Sequence, residues 1–160
     1  MKASFVVRGT PVVLALCLVA AVASAQTDPH VGTWKLNLTK SKFTPGPAPK
    51  SQTFTYEADG SNLTVLVQGV DAEGKPINPD KNKVTIIMDG KDHPATNPAY
   101  DAVAWKKTSN GYGATRKKAG KVVQTVTNVV SKDGKMMTIT TKGTNAKGET
   151  LNDAAVFDKQ

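Results

Sequence analysis

The side chains able to do chemistry in this sequence are few and widely spaced. His30 and His93 are its two histidines, and a zinc-type site needs three or four ligands at short, regular spacing. One stands ahead of the first extended run and the other beside Pro94, so both read as solvated loop residues. Asp89, Asp92 and Asp101 could approach one another around neighbouring hairpins and imitate the carboxylate pair of an acid–base catalyst. Asp89, however, belongs to an Asp-Gly turn, and the other two read as exposed charges. No Gly-x-Ser-x-Gly, Walker loop or His-Glu-x-x-His occurs. These patterns nominate no catalytic residue, no metal and no cofactor, and they favour non-covalent binding over catalysis.

The strongest charge signal is basic, within a chain of formal net charge +8. Lys106 and Lys107 precede one turn; Arg116, Lys117, Lys118 and Lys121 surround the next. On antiparallel neighbours they are expected to gather near one hairpin, as a patch for an anionic surface such as lipid head groups or an acidic envelope polymer. The same lysines also serve to keep sheet edges soluble. Nucleic acid is not an expected partner, because the aromatic interleaving of single-strand binders is sparse.

Lys2 and Arg8 precede an uncharged apolar run from Pro11 to Val22, which Ala23-Ser24-Ala25 closes. This is the pattern of a cleaved export signal, residues 1–25, and it predicts a periplasmic or secreted chain beginning at Gln26. The stretch 9–25 is shorter than the roughly 20 apolar residues of a spanning helix. Cys17, the only cysteine, lies inside that run behind Leu16, a poor context for lipid attachment. Residues 26–160 then form one domain, expected to be a monomer, with neither disulfide nor thiolate chemistry.

The elements that must position these residues are strands. From Lys50 onward, runs rich in Thr, Val and Ile alternate with turn clusters: "ADGSN", "DAEGK", "MDGKD", "TSNGY", "KAGK", "KDGK" and "NAKGE". Asp-Gly and Asn-Gly supply the positive φ angles of tight hairpins. The pattern predicts strands over 32–38, 51–57, 63–70, 83–88, 101–107, 112–118, 122–131, 136–142 and 150–158, with a short tenth near 91–95. A meander of this length exposes two edges unless it closes, so an all-β, up-and-down antiparallel barrel of about eight to ten strands follows. The stretch "FTPGPAPK", from Phe43 to Lys50, is expected to cross one end in extended form. Alternation puts Leu36 and Leu38 on the inward face with Trp34, and Phe54 with Tyr56. The expected lumen residues are Leu36, Phe54, Tyr56, Val65, Ile86, Trp105, Val126, Ile139 and Phe157.

"VGTWKL", a Gly-x-Trp on the first strand, resembles the opening of the fatty-acid-binding proteins. "AVFDK", at Ala155 to Lys159, resembles their last strand. The stretch from Asp28 to Gln160, with "GTWKLNLTKSKF" and "KGTNAKGE", also resembles small exported bacterial proteins of lipocalin-like type. The resemblance implies a calycin fold, with Trp34 plugging the closed end of the barrel beneath Lys159, a cation–aromatic contact worth roughly 0.5–2 kcal/mol. The Arg-x-Tyr that holds the ligand carboxylate in the fatty-acid-binding family falls here on Ala155 and Phe157, and the helical lid is replaced by the proline-rich stretch. The leading expectation is an exported barrel binding a small apolar or amphipathic molecule in its lumen. The alternative is a filled barrel acting through its basic surface on the cell envelope.

Overall fold

A computed structural model describes residues 28–78 and 80–160. The expected signal, residues 1–25 with Cys17, lies outside them. Eleven strands occur among the described residues: β1 Gly32–Leu36, β2 Ser51–Asp59, β3 Asn62–Val70, β4 Pro76–Ile77, β5 Lys83–Ile86, β6 His93–Asn97, β7 Tyr100–Thr108, β8 Gly111–Lys118, β9 Lys121–Val130, β10 Met136–Thr144 and β11 Thr150–Lys159. They form a single antiparallel sheet in the order β4-β3-β2-β1-β11-β10-β9-β8-β7-β6, with β5 on the free side of β3. The chain is thus all-β and up-and-down, and the first strand pairs the last, Trp34 opposite Lys159 and Leu36 opposite Phe157.

Turn chemistry explains much of this order. Asp71 accepts the Lys75 amide at 2.7 Å, Asp133 the Lys135 amide at 3.1 Å, and Asn145 the Glu149 amide at 3.0 Å. Each side chain substitutes for a backbone acceptor and fixes its reversal locally. The "MDGKD" turn behaves differently. It joins β5 to β6, which make no ladder with each other. The sheet therefore curls into a barrel left open along one seam, where full closure was expected.

Two further expectations are corrected near the start. The first strand ends at Leu36, because the Asn37 side chain accepts the Lys40 amide at 3.1 Å and turns Leu38–Lys40 into one 3₁₀ turn. Leu38 leaves the inward face and is exposed. The segment after it does not simply cross the barrel end. It returns beside β11, with reciprocal Lys42–Ala154 backbone bonds of 2.9 and 2.8 Å and an Asn152 amide to Thr44 carbonyl bond of 3.0 Å.

The core sits at the β1 end. Trp34, Met137 and Phe157 are wholly buried, with Tyr56 and Leu63 beside them. The Trp34 indole donates to the His30 carbonyl at 2.7 Å, and Lys159 Nζ stands 5.0 Å from its ring centroid. Phe54 packs on Phe157 with ring centroids 4.9 Å apart.

His30 is not a solvated loop residue: it is only 1% exposed. The turn from Asp28 to Val31, closed by a 3.0 Å backbone bond, folds its ring inward to 4.3 Å from that of Tyr112. Asp28 ties the group together, taking His30 Nδ1 at 3.1 Å on one oxygen and the Tyr112 hydroxyl on the other. Burial pulls the His30 pKa below its ordinary 6.5, outweighing the opposing pull of Asp28. The unfolded chain therefore takes up a proton that the folded chain resists. Stability should fall as pH drops through 6.5 and level off once folded His30 itself titrates. Urea midpoints at about pH 8 and pH 5 should differ less in His30→Asn than in the parent chain. An identical difference in both would assign the pH dependence to other groups.

Candidate functional site

Inside the curl lies a cavity of ≈ 560 Å³, within the range of small-molecule sites. Phe54, Tyr56, Val65, Ile86, Trp105, Val126 and Ile139 all face it. They come from β2, β3, β5, β7, β9 and β10, so the walls assemble from strands distant in sequence. Two of the nine expected lumen residues do not line it. Phe157 is sealed in the core behind Phe54, and Leu36 packs against that same core. A filled interior is therefore not what this chain builds.

The seam forms one side of the cavity. Val84 to Ile87 reach it from β5 and the residue after, and His93 to Thr96 from β6. Val84 is 60% exposed while contributing to the lining.

Of the polar groups inside, Tyr56 was expected there, whereas Asn128 and Arg116 were not. Asn128 is buried and donates from Nδ2 to the Tyr56 hydroxyl at 3.3 Å, while its Oδ1 has no protein partner among the described residues. Burial pushes the Tyr56 phenol above its ordinary pKa, so it stays a neutral hydroxyl. Toward the other end stands Arg116. Its Nη1 donates to Gln124 Oε1 at 3.0 Å, and its guanidinium lies 4.7 Å from the Tyr100 ring centroid. Gln124 is itself buried and held by donation to the Thr144 carbonyl at 2.8 Å.

Arg116 was expected on the surface with Lys106, Lys107, Lys117, Lys118 and Lys121. The strand register divides this group. Lys106 and Lys107 lie opposite Gly113 and Tyr112, near the β7–β8 turn, whereas Lys117 lies opposite Ala102, at the other end of β7. That separation is about 13 Å along the strand. Lys117 is further engaged with Asp92 at 2.7 Å. Lys106 with Lys107, and Lys118 with Lys121 across the β8–β9 turn, are left as two separate exposed pairs outside the ion pairs of the described residues. No single basic hairpin patch is built.

The three aspartates are likewise separate. Asp89 pairs with His93 at 3.0 Å, Asp92 with Lys117, and Asp101 accepts the Ala119 amide at 3.0 Å. Each carboxylate has its own structural partner, so they do not form an acid–base pair.

No protein-family profile and no curated protein matches the chain. Among solved structures, it is similar to zebrafish ileal bile acid-binding protein in its crystal complex with cholic acid. The identity is 15%, covering 83% of this chain and 100% of that one, with a TM-score of 0.44. The architecture rests on the chain's own strand order: an all-β antiparallel sheet curled around a mainly apolar cavity.

Proposed function

We propose that this protein binds a small apolar or amphipathic molecule non-covalently in its lumen, and that it does so outside the cytoplasm after cleavage near Ala25. The observation carrying this reading is the cavity of ≈ 560 Å³ with its apolar walls and seam. Burying a guest there contributes roughly 25 cal/mol for each Å² of apolar surface removed from water. The Tyr56 and Asn128 pair supplies a polar point against which a guest orients. Leu36 and Phe157 support the walls from behind and do not touch the guest.

The test is titration with an apolar fluorescent probe, anilinonaphthalene, after the protein has been unfolded and refolded to strip any co-purified molecule. Saturable one-to-one binding with a change in Trp105 emission is the expected result, since Trp105 faces the cavity while Trp34 is sealed. Val126→Trp, which puts bulk into the lumen, should abolish binding while leaving the β-sheet circular dichroism intact. Absence of uptake by the refolded parent chain would refute the reading. Export is tested separately, by the mass of the chain recovered from a bacterial periplasm: a start at Gln26 supports it and an uncleaved chain does not.

A further inference from the structure

Among the described residues, Arg116 is the one permanently charged side chain lining the cavity. None of the ion pairs among the described residues involves it. The side chain is only partly exposed and its Nε is buried, and a cation withdrawn from water in this way ordinarily has an anionic partner, because leaving it unpaired is costly. Here it has only neutral ones. Gln124 takes Nη1, the Tyr100 ring covers the guanidinium, and Nε has no partner among the described residues. Those contacts hold the group in place and leave its charge uncompensated and its donors partly unused.

Position adds direction. Along β8, Arg116 stands four residues beyond Tyr112, which packs on His30 at the closed end. Four residues of strand span about 13 Å. Val126, with Gln124 and Asn128 on either side of it on β9, repeats the same axis: a charged end, an apolar middle and a neutral polar floor. The cavity is polarised lengthwise, and its cation is at the end away from Trp34.

We propose that the molecule held in the lumen is an amphiphile carrying one anionic group, such as a carboxylate or sulfonate. That group is bound by Arg116, and the apolar body extends toward Tyr56 and Asn128. The inference rests on the cavity-binding reading above and specifies its ligand class and orientation. One cation calls for one negative charge, so a monoanion fits better than a phosphate dianion, and charge-assisted bonds to a guanidinium are among the stronger polar contacts.

The experiment compares decanoate with decanol, equal in chain and different in charge, on the parent chain, Arg116→Gln and Arg116→Lys, with the anilinonaphthalene probe as competitor. The parent should bind decanoate about tenfold or more tightly than decanol. Arg116→Gln should lose that preference while holding decanol as before, and Arg116→Lys should keep part of it. Unchanged decanol affinity also shows that the variant lumen is folded. Independently, the Arg116 Nε–H resonance should shift with decanoate and stay put with decanol. Equal affinities in the parent, or a preference that survives Arg116→Gln, would overturn the inference and leave lumen binding standing. Failure of both compounds and the probe would remove the cavity reading and the inference together.

Discussion

Trp34→Ala should lower the stability of the folded chain by about 3–5 kcal/mol, a large part of what a domain of this size possesses. The indole is 0% exposed, and its loss opens a void between β1, β2 and β11 that rigid sheet neighbours cannot collapse to fill. Removal of the indole also strands the His30 carbonyl, which accepts from Nε1 at 2.7 Å, and strips the aromatic face from beneath Lys159. Trp34→Phe separates the contributions, since it keeps most of the apolar area and gives up the hydrogen bond, for about 1–2 kcal/mol. Urea unfolding followed by far-ultraviolet circular dichroism measures both. A Trp34→Ala midpoint within error of the parent would mean that the β1 end is not the seat of stability.

Gly143→Ala should be as damaging for the opposite reason, too little space. Gly143 lies in β10 opposite Gln124 and Leu151 with φ at +139°, and an added Cβ would fall 2.0 Å from the Val123 carbonyl oxygen and 2.8 Å from the Gln124 Cα. Both obstacles are backbone, so relief requires moving β9 away from β10. Conformational strain and overpacking together amount to roughly 3–5 kcal/mol. Gly120 is the control. Its φ is +77°, but nothing lies within 4 Å of the added atom, so Gly120→Ala should cost only about 1–2 kcal/mol. Equal effects at the two positions would show that backbone conformation, and not the close approach of strands, sets the requirement. Because Gly143 adjoins the strand that carries Gln124, a tolerated substitution there should also disturb whatever Arg116 holds.

The strands were readable because hairpin reversals are local events. Asp71, Asp133 and Asn145 each bond an amide two or four residues away, and a window of five residues contains the whole cause. Asp89-Gly90 shows the limit of that logic. The turn forms as its residues dictate, but whether the flanking strands then pair depends on the curvature of the entire sheet. The inward face was readable where apolar residues alternate cleanly, as at Phe54 and Tyr56. It was obscured on β9, where the run from Val122 to Val130 offers valines at both phases while the buried positions include Gln124 and Asn128. Arg116 carried a usable signal: Tyr112, Ala114 and Arg116 share one phase of β8. Its place in a basic run suggested solvent instead. The register shift beyond Arg116 then separates it from Lys117 in a way that no local window reveals. His30 is buried by Tyr112, a long-range neighbour in sequence, and its own polar flanks say nothing of that contact.

The unpaired seam between β5 and β6 changes what it means for this molecule to breathe. Elsewhere around the curl, parting two strands ruptures a ladder of backbone hydrogen bonds, so a widening motion shares its cost with global unfolding. At the seam there is no ladder to rupture. Widening of the seam and denaturation should therefore be separate processes, with separate rates and separate responses to urea. Amide protons on the seam-facing sides of β5 and β6 should exchange with solvent in small, denaturant-insensitive openings, while those of β9 and β10 wait for the sheet to come apart. The barrel is stitched along its ladders and unstitched between β5 and β6.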